Sequence, residues 1–457
     1  MAEKTSAARA WYAVVLLGAL YIVAFIDRMI LGLLVEPLKA DLHVSDTQIS
    51  LLIGFNFAIF YSIVGVPLGW MSDRANRRNL ILISTLLWTA CTFFSGLSTA
   101  FWLLCALRLG VAVGEAALSP SAMSLIGDLF PRESRAGPTT LYMCFGAFGA
   151  TAAYLFGGIV VRMLEHFPLV LPGHGVLSPW RVVLFAVASP ALVLTALLYF
   201  TMREPQRVQA VHEPAEPTLF LAWTAPRWRP LVYLFIAGAT AQAITIGLSA
   251  WAPTYLVRRF GWDVGDAGIF LGLSTMIGGL TGMAFSPSLT ERWTRSGRAD
   301  ALPLVLLGGA CVGMAGALGA VLAPNAGLFV FFYALSAFGV MGTGLLLMVA
   351  IQLVALPRMR GELMAVCLVL NSLLAMGCGP FIVTLFAKWL GHGALQPGFA
   401  AVALICGPIA IALILAGRAG YVVLLREADG VAQTRPVEPV QNTSVPPPSI
   451  TSVTPLT

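Results

Sequence analysis

Apolar residues run through this chain in long stretches broken by short polar loops. Stretches long enough to cross a hydrocarbon core of about 30 Å fall near 11–36, 47–72, 79–99, 101–126, 137–162 and 181–202. A second set follows near 230–257, 267–289, 301–323, 326–354, 362–387 and 396–418. The pattern predicts an all-α membrane protein whose twelve transmembrane helices form two pseudo-symmetric six-helix bundles, residues 1–202 and 230–420. Residues 203–229, rich in proline and charge, read as a linker. Residues 421–457 carry Pro, Ser, Thr and Val near the end without a sustained helical period and read as a disordered tail. The first apolar stretch is too long for a signal core, so it is expected to stay as the first helix.

Four charges interrupt this pattern from inside the predicted spans: Asp27 and Arg28 in the first, Arg108 and Glu115 in the fourth. A charge at the bilayer centre costs roughly 2.5–3.5 kcal/mol on insertion scales, so four unpaired ones would cost on the order of 10 kcal/mol. They must face one another, water or a substrate. Helix rise puts Asp27 about 24 Å into the membrane from its start, Arg108 about 10 Å below the opposite surface and Glu115 about 21 Å. Asp27, Arg28 and Arg108 therefore share a depth, with Glu115 nearer the midplane. Arg108 and Glu115 are seven residues apart and lie on one helix face.

Composition agrees with a membrane protein: 58% hydrophobic, 11% charged, mean hydropathy +0.86. The net charge of +6 is scattered over the short loops, which argues for topology rather than nucleic-acid binding. Most Lys and Arg fall in loops on the N-terminal side of the membrane, placing both termini in the cytoplasm. The seven cysteines fall within apolar spans with no C-x-x-C spacing and read as reduced packing residues. No ATP-binding loop, metal-ligand cluster or nucleophile elbow is present in the sequence, so neither cofactor nor metal is expected and an enzyme is a remote alternative.

The halves also repeat. Val44-Ser45-Asp46-Thr47-Gln48-Ile49 after the first helix is matched by Val264-Gly265-Asp266-Ala267-Gly268-Ile269 after the seventh, each Asp standing where it could cap a helix. Pro131-Arg132 with Arg135 is matched by Pro357-Arg358 with Arg360.

The loop after the second span reads Gly69-Trp70-Met71-Ser72-Asp73-Arg74-Ala75-Asn76-Arg77-Arg78. It resembles the signature G-x-x-x-D-R-x-x-R-[RK] of the major facilitator superfamily, with Asn76 where glycine is usual. In that spacing Gly69 would permit close helix approach, Asp73 would latch to the other bundle, and Arg74, Arg77 and Arg78 would hold the cytoplasmic edge. The fourth span, from Arg108 to Ala116 and on to Gly127-Asp128-Leu129-Phe130, resembles a second signature, R-x-x-x-G-x-G-x-A, with Ala112 in place of glycine. Together with Asp27-Arg28, these segments resemble the Spinster branch most. In the second half, Asn371 and Gly377-Cys378-Gly379-Pro380 form the clearest similar segment.

The resemblance implies the major facilitator fold, with the first and fourth helices lining a central cavity, and transport of lysolipids or sphingoid phosphates, in some members with proton coupling. It would bring Asp27 within reach of Arg108. Asp27 and Glu115 would then compete for that one arginine as a proton switch, with Asp27, Arg108 and Glu115 as the coupling set. Arg28 and Arg108 are expected to hold an anionic headgroup, with Gln242 and Asn371 as polar contacts on a second half whose span interiors are otherwise nearly uncharged. Thr245, Ser249, Gln352 and Ser372 complete its polar inventory. The expected protein is a monomeric proton-coupled transporter in the bacterial inner membrane, surrounded by lipid and moving an amphipathic, lipid-like solute. A drug or organic-anion exporter of the same superfamily is the alternative.

Overall fold

The computed structural model describes residues 7–72, 74–131, 134–166, 170–171, 175–205, 207, 222–355, 359–390 and 393–433. Among these, twelve helices are long and apolar enough to cross a membrane. They are α1 (Ala7–Ile30), α2 (Asp46–Ser72), α3 (Arg77–Leu97), α4 (Phe101–Leu129), α5 (Ala136–His166) and α6 (Pro179–Thr201) in the first half. The second half comprises α7 (Trp228–Phe260), α8 (Val264–Arg295), α9 (Ala301–Leu322), α10 (Ala326–Val354), α11 (Glu362–Leu390) and α12 (Gln396–Gln433). A two-residue antiparallel pairing, Val170–Leu171 with Gly175–Val176, follows α5. Twelve crossings return the chain to the side on which it began, here termed the terminal end, and the opposite side is the far end. Exposed Trp11, Tyr12, Trp70, Tyr199 and Trp228 mark the terminal end, and Trp102 and Trp389 the far end. They sit where amphipathic rings anchor a bundle at the two membrane interfaces.

Three departures from the apolar pattern have local causes. The first span stops at Ile30 and restarts as a short helix at Val35–Leu42. Pro37 lacks the N–H that would bond Leu33 and clashes with its carbonyl, so the helix cannot run through. The span before residue 420 does not end there: α12 continues to Gln433, which corrects the expected tail boundary at 421. Tyr421 and Leu424 are buried on the second half, and Glu427 pairs with Arg227 at 2.9 Å, so packing extends a segment whose sequence reads as the start of a tail. Finally, α2 and α11 each contain a π-helical turn, Leu51–Phe55 and Ser372–Cys378, and the two meet. A Cβ on Gly54 would lie 3.0 Å from the Met376 carbonyl, so any other residue here would push these backbones apart by a few tenths of an ångström.

The hydrophobic core shows which end is closed. One cluster joins the halves at the far end, with Ile30, Leu34, Leu52 and Tyr154 packed with Ile244, Trp251, Leu271 and Val383. Toward the terminal end each half has a separate cluster, one around Leu17, Trp88 and Tyr142 and another around Phe235, Leu306 and Leu347. At that end a Cβ on Gly69 would meet nothing within 4 Å. The expected close helix approach at Gly69 is therefore absent here, because the halves diverge where it lies. Among the described residues the halves therefore share a core at the far end and keep separate cores toward the terminal end.

Polar contacts reinforce the far end. Asp41 accepts from Trp180 Nε1 (2.9 Å), Arg181 Nη2 (2.9 Å) and Ser178 Oγ (3.3 Å), while Arg181 Nη1 bonds the carbonyls of Gly96 and Ser98. The short helix, the end of α3 and the start of α6 are thereby tied together. Burial pushes the Asp41 carboxyl up, but the indole, guanidinium and hydroxyl donors outweigh it and hold it below 3.8. A carboxyl depressed in the folded state contributes stability that is complete above its unfolded pKa and is lost as pH falls through the folded one. Melting curves should thus show wild type and Asp41→Asn diverging at neutral pH and converging below about pH 4. Parallel curves across that range would exclude the linkage.

Candidate functional site

Helix geometry decides the pairing of the four buried charges. Asp27 and Arg28 are consecutive on α1, so their side chains leave the axis about 100° apart and address different neighbours. Asp27, 1% exposed, points into the bundle. Its Oδ1 accepts from Arg108 Nη1 at 2.7 Å, its main-chain carbonyl accepts from Arg108 Nη2 at 3.1 Å, and Oδ2 accepts from the Thr92 hydroxyl of α3. Arg28 points toward the space between the halves, where Nε and Nη2 donate to Glu115 Oε2 at 3.1 and 2.7 Å. Its guanidinium lies 4.9, 4.7 and 4.7 Å from the ring centres of Phe25, Phe57 and Tyr61, a cation–π cage that supports the charge on its remaining faces.

Two expectations are corrected. Asp27 and Glu115 do not contest Arg108, because each carboxylate has its own arginine. Nor is Arg108 free to hold a headgroup: its side chain is 2% exposed and both Nη atoms are committed to Asp27. Arg28, 10% exposed, is the cation that reaches the inter-half space. There it lines a cavity of about 20 Å³ with Met29, Ile53 and Tyr154 from one half and Ile246, Ser249 and Met376 from the other. The Glu115 side chain is fully buried, yet among the described residues Oε1 has no hydrogen-bond partner. A proton added to Oε1 would displace no existing bond.

The second half contributes little polarity. Ser249 Oγ bonds back to the Ile246 carbonyl, and its own carbonyl accepts from Tyr154 across the interface at 2.8 Å. Ser372 Oγ donates to the Ala58 carbonyl, and Gln352 of α10 is exposed. Thr245 Oγ1 and Asn371 Oδ1 are buried without partners among the described residues, and Gln242 packs near Gly344. Among the described residues no hydrogen bond joins Gln242 or Asn371 to the four charges. No group of three or more His, Cys, Asp or Glu that could hold a metal occurs among the described residues.

At the terminal end, Asp73 lies outside the described residues. Arg77 is 1% exposed and braces the first half, pairing with Asp128 at the end of α4 and with Glu204 at 2.8 Å. Arg78 Nε bonds the Met202 carbonyl at 2.6 Å, and Arg74 stacks on Trp70 at 4.1 Å. Asn76 caps α3 by accepting from Asn79 N, and its φ of −66° explains why glycine is not needed there. Spacing along the chain does not reveal Asp128, in the last turn of α4, or Glu204, just after α6, as partners of Arg77 in the first turn of α3.

The family model described as Major Facilitator Superfamily matches residues 17–376. The chain belongs to the major facilitator superfamily. Its folding into twelve helices follows a bacterial homologue of the human lysosomal transporter Spinster in an inward-facing, unoccupied conformation, with a TM-score of 0.78, 24% identity, and 93% of this chain and 99% of that one covered. This major facilitator protein is 28% identical to an MFS-type efflux pump of Mycolicibacterium smegmatis, over 85% of its own length and 87% of the pump. It is also 28% identical to human protein spinster homolog 1, over 80% of its own length and 71% of that protein. It is a secondary transporter of this superfamily, similar to the Spinster proteins.

In this transporter the repeated aspartates do not cap. Ser45, in a capping box with Gln48, caps α2, which frees the Asp46 carboxylate for Arg258 at 2.7 Å. Asp266 of α8 pairs with Arg162 of α5 at 2.7 Å. Both aspartates thus bridge the halves at the far end, with Glu36 adding a second contact to Arg258. Exposed pairs contribute up to about 1 kcal/mol each. Arg258→Ala removes two of them and is therefore expected to shift the population toward far-end opening by up to about 30-fold. Spin-label distances between the far ends of α1 and α7 would report it, and an unchanged distribution would exclude a gating role for these pairs.

Proposed function

We propose that the protein is a proton-coupled, alternating-access transporter of an amphipathic, anionic, lipid-like solute of lysolipid or sphingoid type. The observation that carries this reading is the pairing of Arg28 with a Glu115 carboxylate whose second oxygen is buried and free of hydrogen bonds. A protonated Glu115 no longer holds Arg28 by charge, and the guanidinium, still caged by three rings, becomes available to an anionic headgroup. Proton and anion then enter together with no net change in buried charge, which removes most of the desolvation penalty either would meet alone. Asp27 and Arg108 act beside them as a paired support that keeps α1 against α4. The apolar wall of the second half, with Ile246 and Met376 at the cavity, would receive the tail.

Distribution of Lys and Arg supports placing the terminal end in the cytoplasm of a plasma membrane. The described conformation is then inward-open, and Asp73 is proposed to latch the cytoplasmic side when that end closes. Export of a drug-like organic anion is the second reading, favoured by the similarity to the mycobacterial efflux pump. Purified protein in detergent decides between them. Lysolipids or sphingoid phosphates should raise the melting temperature, and in liposomes they should move with protons. Stabilisation by hydrophilic anions alone, without proton movement, would replace the lipid reading.

A further inference from the structure

We propose that a groove on the outer face of the first half holds an acyl chain of an anionic phospholipid, drawn from the leaflet at the terminal end. The groove runs between α3 and α6 and has a volume of about 460 Å³. Leu82, Ile83, Leu86, Leu192, Ala196 and Phe200 line it. Ile83 and Phe200 are 66% and 80% exposed, so the groove faces away from the transport cavity toward lipid. Volumes of this order suit a single extended ligand, and apolar lining gives a chain its affinity.

The open end of the groove carries the headgroup chemistry. Asn79 and Tyr199 lie there, at the first turn of α3 and the last turn of α6, level with the exposed aromatic residues of the terminal end. Arg78 is held over the Tyr199 ring at 5.4 Å by three neutral acceptors, the carbonyls of Met202 and Tyr199 and the amide oxygen of Asn79. The Glu204 carboxylate accepts instead from the Arg78 main-chain N–H and from Arg77 Nε. Among the described residues around this mouth, the arginines Arg77, Arg78, Arg203 and Arg207 stand against the carboxylates Asp128 and Glu204. The excess is positive and sits at headgroup depth, which selects an anionic over a zwitterionic phosphate ester.

Delipidated protein in detergent tests the assignment by thermal melting with phosphatidylglycerol, phosphatidylcholine of the same chains, and inorganic phosphate. Phosphatidylglycerol should raise the melting temperature by several degrees, phosphatidylcholine by less, and inorganic phosphate should have no effect. Ala196→Phe and, independently, Leu86→Trp fill the groove at exposed positions, and both should remove the rise. Arg78→Gln should keep a rise but lose the preference for the anionic lipid. Persistence of the preference in both groove-filling variants would put the lipid elsewhere, the transport cavity included, and overturn the proposal. So would an equal rise with inorganic phosphate.

Discussion

Glu115→Gln is expected to abolish proton-driven accumulation in proteoliposomes while substrate–substrate exchange continues. The amide keeps an oxygen for Arg28 Nε and Nη2, which now meet Oε2 at 3.1 and 2.7 Å, so the local packing survives. What it loses is the capacity to take up and release a proton, so nothing remains at this position to tie substrate movement to the proton gradient. The pH profile of uptake should flatten, and exchange should proceed at a rate nearly independent of pH. Arg28 remains charged, supported by Phe25, Phe57 and Tyr61, so binding of an anion is expected to be retained or tightened. Wild-type proton flux accompanying substrate in Glu115→Gln would remove Glu115 from the coupling set.

Asp27→Asn is expected to act first on stability. Arg108 would be left as a buried cation, its Nε already without a partner and its Nη1 deprived of a carboxylate. Breaking a buried pair by removing one member costs about 3–5 kcal/mol, so the melting temperature should fall clearly and transport should be lost with it. The control separates charge from packing: Thr92→Val removes only one hydrogen bond to Asp27 and should cost about 1–2 kcal/mol. The double variant Asp27→Asn/Arg108→Met, which removes both charges, should recover much of the lost stability without recovering transport. A double variant no more stable than Asp27→Asn would mean the cost lies in packing and not in an unpaired charge.

The difference between these two variants illustrates how the site follows from the fold. Both carboxylates are buried and both face an arginine. Asp27 has all its oxygens satisfied and belongs to a closed support, while Glu115, paired to the Arg28 that reaches the inter-half space, keeps one buried oxygen without a partner among the described residues. Depth along the helices brought Asp27 and Arg108 together correctly. It could not assign Arg28, because an arginine side chain spans more than a helical turn and reaches a partner at another level. The far-end bridges were hidden for a different reason. Asp46 and Asp266 stand at helix starts, where capping is the local expectation, but Ser45 takes the cap of α2 and Arg258 and Arg162 arrive from the opposite half.

The sequence by itself determined that twelve apolar helices form two related halves, that the charge inside the membrane lies almost wholly in the first of them, and that these charges need partners. Those properties depend on spacing and composition along one chain, which local physics reads directly. The tertiary structure alone decided who pairs with whom, that Arg108 is sealed while Arg28 reaches the cavity, and that the far end is the closed one. Each of these depends on the rotation of one helix about its axis relative to a neighbour distant in sequence. A side chain's direction is set by that rotation, and a periodic pattern leaves it free.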